Sequence, residues 1–474
     1  MPHFALPSTA PPSRFAPHVR AFFAALGAAT LSACGCGGDA TCGRLPPANG
    51  FPCSEAQIKQ FVFETTRDWY LFPELLPPSV DPAQFATAEE LLDALTATAR
   101  AQGKDRFFSE LTTVSADDQF FGAGTAILFG ITLSPQSGNT RLRVAQVFEN
   151  SPAADAGFVR GDQITAIGTT AATLEPVATI LARPRGVTDA LGPNQLDVSR
   201  VFRVLTPAGA TVDRTIAKRS VPLNPVAEVR LIERAGLSPI GYIRLRAFVT
   251  TAEDPLRAAF AQMRAQNVED IVLDLRYNGG GLLSTADALL DLLSANRSGL
   301  VSYQTRFNAG RTTNDTTLRF RDQPQAIAAT RVAFITTDLT ASASELVINA
   351  LAPYADVAIV GATTFGKPVA QAAFDLSSCG LRLRLVSFKL LNKDGGGDFY
   401  NGIPYAGYTD AFCAAPDDLA IAQGAPNEPL IQTAIQWINT NACPPVALPG
   451  VDAAVVRKLE RPASPLQQYA PETY

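Results

Sequence analysis

Apolar residues recur along this chain with two periods, and the change from one to the other divides it. Ile58, Phe61 and Val62, then Trp69, Tyr70 and Phe72, then Leu91, Leu92 and Leu95 fall at helix spacing. They predict an N-terminal helical region over 55–118, which the run Asp105-Arg106-Phe107-Phe108-Ser109 brings to its end. Over 119–217 the pattern shortens to strands, with Phe129-Gly130-Ile131-Thr132-Leu133 and the alternating run 142–147 the clearest. Between later strands stands one short helix, capped by Ser151, with Pro152 in its first turn and Gly157 closing it. Gly161-Asp162 is then a turn that feeds a half-buried strand. From 221 to 440 strands and helices alternate. Strands are predicted at 240–245, 270–275, 332–335 and 357–360, and helices at 255–266, 283–293 and 342–351. The run 270–275 is apolar enough to be buried on both faces, so the domain reads as α/β with a parallel or mixed sheet. The Pro-rich remainder, 441–474, reads as poorly ordered surface chain.

The beginning of the chain carries an address. Arg14, His18 and Arg20 precede an apolar run at 21–31 that is too short to cross a membrane. It ends in Leu31-Ser32-Ala33-Cys34, which resembles a bacterial lipobox. That resemblance implies a signal peptide at 1–33, a lipid on Cys34 as the only membrane contact, and an exported protein. An ordinary signal peptide with Cys34 free or disulfide-bonded is the alternative. The Gly- and Pro-rich stretch 34–54 would then be a tether.

Composition narrows the chemistry. With 474 residues, 47% of them hydrophobic, the chain has enough apolar surface for two or three domains. A net charge of −5 leaves no basic face for nucleic acid. Cys36, Cys42, Cys53, Cys379, Cys413 and Cys443 form an even set suited to an oxidising compartment. Three lie near each end, so one bridge is expected to join the two groups; the pairing itself stays open. The spacing of Cys36 and Cys42 is not that of a zinc site, and neither a metal nor a cofactor is implied. Both histidines, His3 and His18, fall in the predicted leader. The mature chain therefore lacks the base of a Ser-His-Asp triad or a Cys-His pair, and any nucleophile must rely on Lys, a carboxylate or an amine.

Three motifs stand where strands end, the place where α/β sheets hold ligands. Asp274-Leu275-Arg276-Tyr277-Asn278-Gly279-Gly280-Gly281 lets backbone N–H groups approach a ligand, though a plain flexible turn would read alike. Thr340-Ala341-Ser342-Ala343-Ser344-Glu345-Leu346 starts a helix. Its first serine is a cap or, with small neighbours and the positive helix end, an exposed nucleophile. In Thr364-Phe365-Gly366-Lys367-Pro368-Val369-Ala370-Gln371, Pro368 biases Lys367 to extended backbone, so alternation puts Lys367, Val369 and Gln371 on one side of a strand.

Together the motifs resemble the carboxyl-terminal processing (tail-specific) serine peptidase family, from about Asp105 to Gln371. Ser342 precedes Lys367 by 25 positions and Gln371 follows four later, as in that family. The resemblance implies that Ser342 is the nucleophile, Lys367 the general base and Gln371 the residue orienting the amine; Ser344 is the lesser candidate. Burial against apolar walls such as Phe365 and Val369 would lower the lysine pKa. The oxyanion would take N–H bonds from Ala343 and from Gly279 or Gly280. The stretch from Asn150 to Ile167 resembles a circularly permuted PDZ domain of bacterial proteases. This implies that Phe129, Gly130 and Ile131 form a loop that takes the exposed, apolar C-terminus of an exported protein as an added strand. The chain departs from the family at Gly402-Ile403-Pro404-Tyr405, where Gly-Ile-x-Pro-Asp is usual, and at the loop 394–398 flanked by Cys379 and Cys413. A non-catalytic lipoprotein that binds protein tails, and a binder of small apolar molecules, are the rival readings.

Overall fold

The structure, a computed structural model, describes residues 53–136, 140–405, 408, 410–445 and 469–474. The leader, Cys34, Cys36, Cys42 and nearly all of the tether lie outside the described residues. No helix among the described residues is long and apolar enough to cross a membrane.

A six-stranded mixed sheet organises the molecule. Its order is Val226–Arg234, Leu237–Leu245, Asp270–Asp274, Arg331–Thr336, Asp356–Gly361 and Ala411–Ala414. The first two strands are antiparallel and every later pairing is parallel. Strand alternation explains why both faces are apolar. Ile271, Leu273, Val332, Phe334, Val357 and Ile359 pack toward the helices Glu253–Ala265, Leu283–Leu292 and Ala343–Leu351. Val272, Ala333, Ile335, Ala358 and Val360 face Trp437, Leu430 and Ala434 of the helix Pro429–Thr440. The predicted double burial of the Asp270–Asp274 strand is observed.

A second, antiparallel sheet joins Glu110–Thr113, Leu381–Leu391, Val301–Phe307 and Thr316–Arg319, with Val369–Leu376 also paired to Leu381–Leu391. The helices Glu55–Trp69 and Ala88–Ala101, each started by a capping box, cover it with Val62, Leu91, Leu92 and Leu95. Between Glu110–Thr113 and Val226–Arg234 in sequence lies an antiparallel sheet of Ile131–Gln136, Arg141–Val147, Gln163–Gly168, Ser199–Leu205 and Thr211–Ala217, with its own apolar core around Phe129, Phe158 and Phe202. The short helix Pro152–Asp155 begins as expected, with the Ser151 hydroxyl accepting from the Ala154 N–H at 3.1 Å.

Among the described residues two disulfides are present. Cys53–Cys379 joins the two cysteine groups, and Cys413–Cys443 closes the second helix face. Cys379 and Cys413, which flank one loop in sequence, thus bond to other partners. The tail needs a correction. Tyr469, Ala470, Thr473 and Tyr474 are buried, not surface chain. Residues 472–474 pair by main-chain bonds with the edge of the strand Ile131–Gln136, with Thr473 antiparallel to Thr132, while 446–468 lie outside the described residues. Composition could not show this, because strand addition uses backbone groups that every residue carries.

Candidate active site

The three motifs follow the carboxyl ends of three adjacent parallel strands, Asp270–Asp274, Arg331–Thr336 and Asp356–Gly361. They are stitched together by hydrogen bonds. The Thr340 hydroxyl donates to the Leu275 carbonyl at 2.8 Å, and the Ala341 N–H to the Asn278 carbonyl at 3.0 Å. Asn278 in turn donates through Nδ2 to the Leu245 carbonyl at 2.8 Å and accepts the Gly280 N–H at 2.9 Å. Gly280 has φ +103°, and a Cβ there would lie 2.8 Å from the Ser342 Cβ. Only glycine lets this turn sit against the serine.

Ser342 stands at the N-cap of Ala343–Leu351 with φ +56° and ψ −114°. The Ser344 hydroxyl instead donates to the Asn278 carbonyl at 3.1 Å and is fully buried. The two serines of the motif thus differ: Ser344 ties down the glycine turn, and Ser342 occupies the unusual backbone at the helix entrance.

Glu345, in the next turn of the helix, gathers the site. One of its oxygens, Oε2, accepts the Ser342 N–H at 2.8 Å and the Lys367 N–H at 2.7 Å. The main-chain nitrogens of Ser342 and Lys367 are therefore no more than 5.5 Å apart, the sum of those two distances. Its other oxygen accepts the Thr364 hydroxyl at 2.5 Å and the Gly366 N–H at 2.6 Å. Burial pushes the Glu345 carboxyl pKa up against these four donors. Replacing Glu345 with Gln turns an amide NH2, in either orientation, against at least one main-chain N–H that can only donate. We expect Glu345→Gln to lose about 2–4 kcal/mol of stability, measured by urea unfolding.

Lys367 is buried. Its Nζ donates to the Gln371 Oε1 at 3.0 Å and lies 5.0 Å from the centre of the Phe108 ring and 5.2 Å from that of Tyr469. Gln371 is itself fixed, its Nε2 donating to the Phe108 carbonyl at 2.5 Å while its Oε1 also accepts the Tyr469 hydroxyl at 3.0 Å. Burial pushes the lysine pKa down to about 8, opposed by the more distant charges of Glu110 and Asp105. The expected alternation holds in that Lys367 and Gln371 meet on one side. The aromatic walls are Phe108 and Tyr469, whereas Val369 packs into the core under the N-terminal helices.

The glycine turn separates the two oxyanion candidates. The Gly280 N–H is turned to Asn278, while the Gly279 N–H donates to the Tyr469 carbonyl at 3.0 Å. Of the pair, Gly279 points at a peptide carbonyl. Beneath it, Arg276 is buried in ion pairs with Asp274 and Glu428. In the inserted sheet, the Gly130 and Ile131 N–H groups converge on the Tyr474 oxygen at 2.8 and 3.2 Å. Phe129 packs its ring edge-on against Phe202, 5.4 Å away. Gly130 has φ +93°, and a Cβ there would meet the Ser151 side chain at 2.1 Å, so any substitution at this position tests folding along with binding.

Three site residues escaped the reading of the sequence. Glu345 was visible as the fourth residue of a Ser-x-x-Glu capping pattern. Phe108 and Tyr469 reach Lys367 from far along the chain and left no local signal.

The Peptidase S41 N-terminal domain model matches residues 57–109, and the Peptidase family S41 model matches 239–405. A carboxyl-terminal-processing protease of Synechocystis is 31% identical over 52% of this chain and 54% of its own length. The chloroplastic carboxyl-terminal-processing peptidase 2 of Arabidopsis thaliana is 30% identical over 54% of this chain and 47% of its own. The chain thus spans about half the length of these curated relatives. In fold it is similar to a Bacteroides fragilis structure described as an S41 protease, with a TM-score of 0.62 at 23% identity, covering 84% of this chain and all of that one. With both its N-terminal helical region and its central-sheet domain matched, the chain carries the paired domains of peptidase family S41 and is similar to the carboxyl-terminal-processing serine peptidases.

Proposed function

We propose that this protein is a serine endopeptidase that uses Ser342 as nucleophile and Lys367 as general base, and that it holds its substrates by their C-terminal segments. The observation that carries the reading is the shared Glu345 oxygen, which brings the backbones of Ser342 and Lys367 together beside a desolvated amine. Neutral Lys367 takes the Ser342 hydroxyl proton as Oγ attacks the substrate carbonyl. The Gly279 and Ala343 N–H groups receive the developing oxyanion. Collapse of the intermediate breaks the C–N bond, and the lysine returns its proton to the leaving amine. Water then hydrolyses the acyl-enzyme by the same route. Gln371 positions the amine and takes no proton.

The inserted sheet serves as a PDZ-like reader, adding an extended peptide to the strand Ile131–Gln136 through the Gly130 and Ile131 N–H groups. Export, with a lipid on Cys34, accords with the lipobox-like leader and with two disulfides in one chain. The test is casein digestion by the purified protein, read by mass spectrometry. Internal fragments above the background of a Ser342→Ala preparation are expected, and their absence from the wild-type digest would remove the peptidase reading.

A further inference from the structure

The segment 469–474 touches both halves of the machinery at once. At one end the Tyr474 oxygen accepts from the Gly130 and Ile131 N–H groups, and the Tyr474 N–H donates to the Ile131 carbonyl at 2.8 Å. The Glu472 carbonyl accepts the Leu133 N–H at 2.8 Å, and the Thr473 and Thr132 hydroxyls bond at 2.8 Å. The Tyr474 ring enters the apolar core that contains Phe129 and Phe202, leaving the residue 5% exposed. At the other end Tyr469 is 2% exposed. Its carbonyl sits on the Gly279 N–H, its hydroxyl on Gln371, and its ring against Phe120, Phe121 and the Lys367 amine. Five residue steps span at most about 17 Å, and the segment makes both contacts through a turn in which the Thr473 N–H donates to the Ala470 carbonyl at 3.2 Å and Glu472 takes φ +59°.

We propose, building on the peptidase reading above, that residues 469–474 are an internal competitor of substrate, filling the peptide-reading edge and the catalytic pocket together. Three features a tail-bearing substrate would need are already engaged: the edge N–H groups, the apolar socket and one oxyanion donor. A ligand entering in trans must therefore displace this segment. The ligand class that fits is a short peptide that places an aromatic side chain in the socket beside the Gly130 and Ile131 N–H groups, since an aromatic ring fills it. A tethered occupant has a high effective concentration, and its population lowers the apparent affinity for any competitor in proportion.

The test separates this from catalysis by using the full chain carrying Ser342→Ala, which cannot cut its probe. A fluorescein-labelled peptide, Tyr-Ala-Pro-Glu-Thr-Tyr, is titrated against that protein and against the same protein with Tyr474→Asp, read by anisotropy. An acidic side chain is not tolerated in the apolar socket, so the segment should leave and the peptide should bind at least about tenfold more tightly. Tyr474→Gly, which merely empties the socket, should move affinity in the same direction; it serves if the Asp variant unfolds. Equal affinity in all three proteins, or no binding to any, would overturn the inference. So would intact-mass loss of residues 470–474 from the wild type but not from Ser342→Ala, which would make the segment a substrate. A tightened peptide affinity combined with no casein digestion would instead leave the inference standing and remove the peptidase reading.

Discussion

Ser342→Ala is expected to lower peptide hydrolysis by about 10⁴-fold or more while leaving the unfolding transition intact. In the proposed mechanism the serine hydroxyl is the attacking group, and the oxyanion donors alone recover only part of the rate. Ser344→Ala is the informative contrast. Its hydroxyl is committed to the Asn278 carbonyl, so its removal should cost about 1 kcal/mol of stability and leave turnover within severalfold of wild type. Steady-state cleavage of a fluorogenic peptide, with thermal unfolding of each variant, checks both. Full activity in Ser342→Ala would end the mechanism, and loss in Ser344→Ala alone would exchange the two roles.

The second large effect concerns the base. Lys367 must be neutral to accept the serine proton, and its pKa is lowered to about 8 by burial. Turnover should rise roughly tenfold per unit as pH climbs toward 8, then level off above it, where the neutral form predominates. Residues 53–474 contain no histidine to give a limb in that range. Lys367→Arg should be as inactive as Lys367→Ala, because a guanidinium stays protonated. Gln371→Ala should lower turnover less than either and shift the limb, since Gln371 only holds the amine. A flat profile between pH 6 and 9, or an active Lys367→Arg protein, would place the base elsewhere.

What the sequence disclosed follows the range of the interactions involved. The Ser342 helix, the buried Asp270–Asp274 strand and the Lys367–Gln371 approach all follow from local period and turn chemistry. Glu345 lay inside a motif already singled out, but its role needs the Lys367 loop to fold back over the helix, and no spacing announces that. Phe108 and Tyr469 are brought to the amine by the second sheet and by strand addition. The choice between Gly279 and Gly280 turned on the Asn278 side chain, which claims one of the two N–H groups. At 469–474 the expectation of surface chain fails because proline-rich composition describes the free chain, whereas the partners there are main-chain groups on a distant strand.

The backbone of Ser342 has a thermodynamic consequence. At φ +56° and ψ −114° a residue with a side chain is held in a sparsely populated region, at a cost of about 1–3 kcal/mol. Glycine would take the same turn nearly free of that cost, and the neighbouring Gly280 and Gly366 already do so at φ +103° and +92°. The chain therefore keeps, at the point where three strands deliver their loops, a residue that folding by itself would replace. The surrounding clamp of Glu345, Asn278 and Thr340 is what makes that unfavourable choice affordable, and a hydroxyl fixed in this way enters each encounter with no rotation of the main chain left to make.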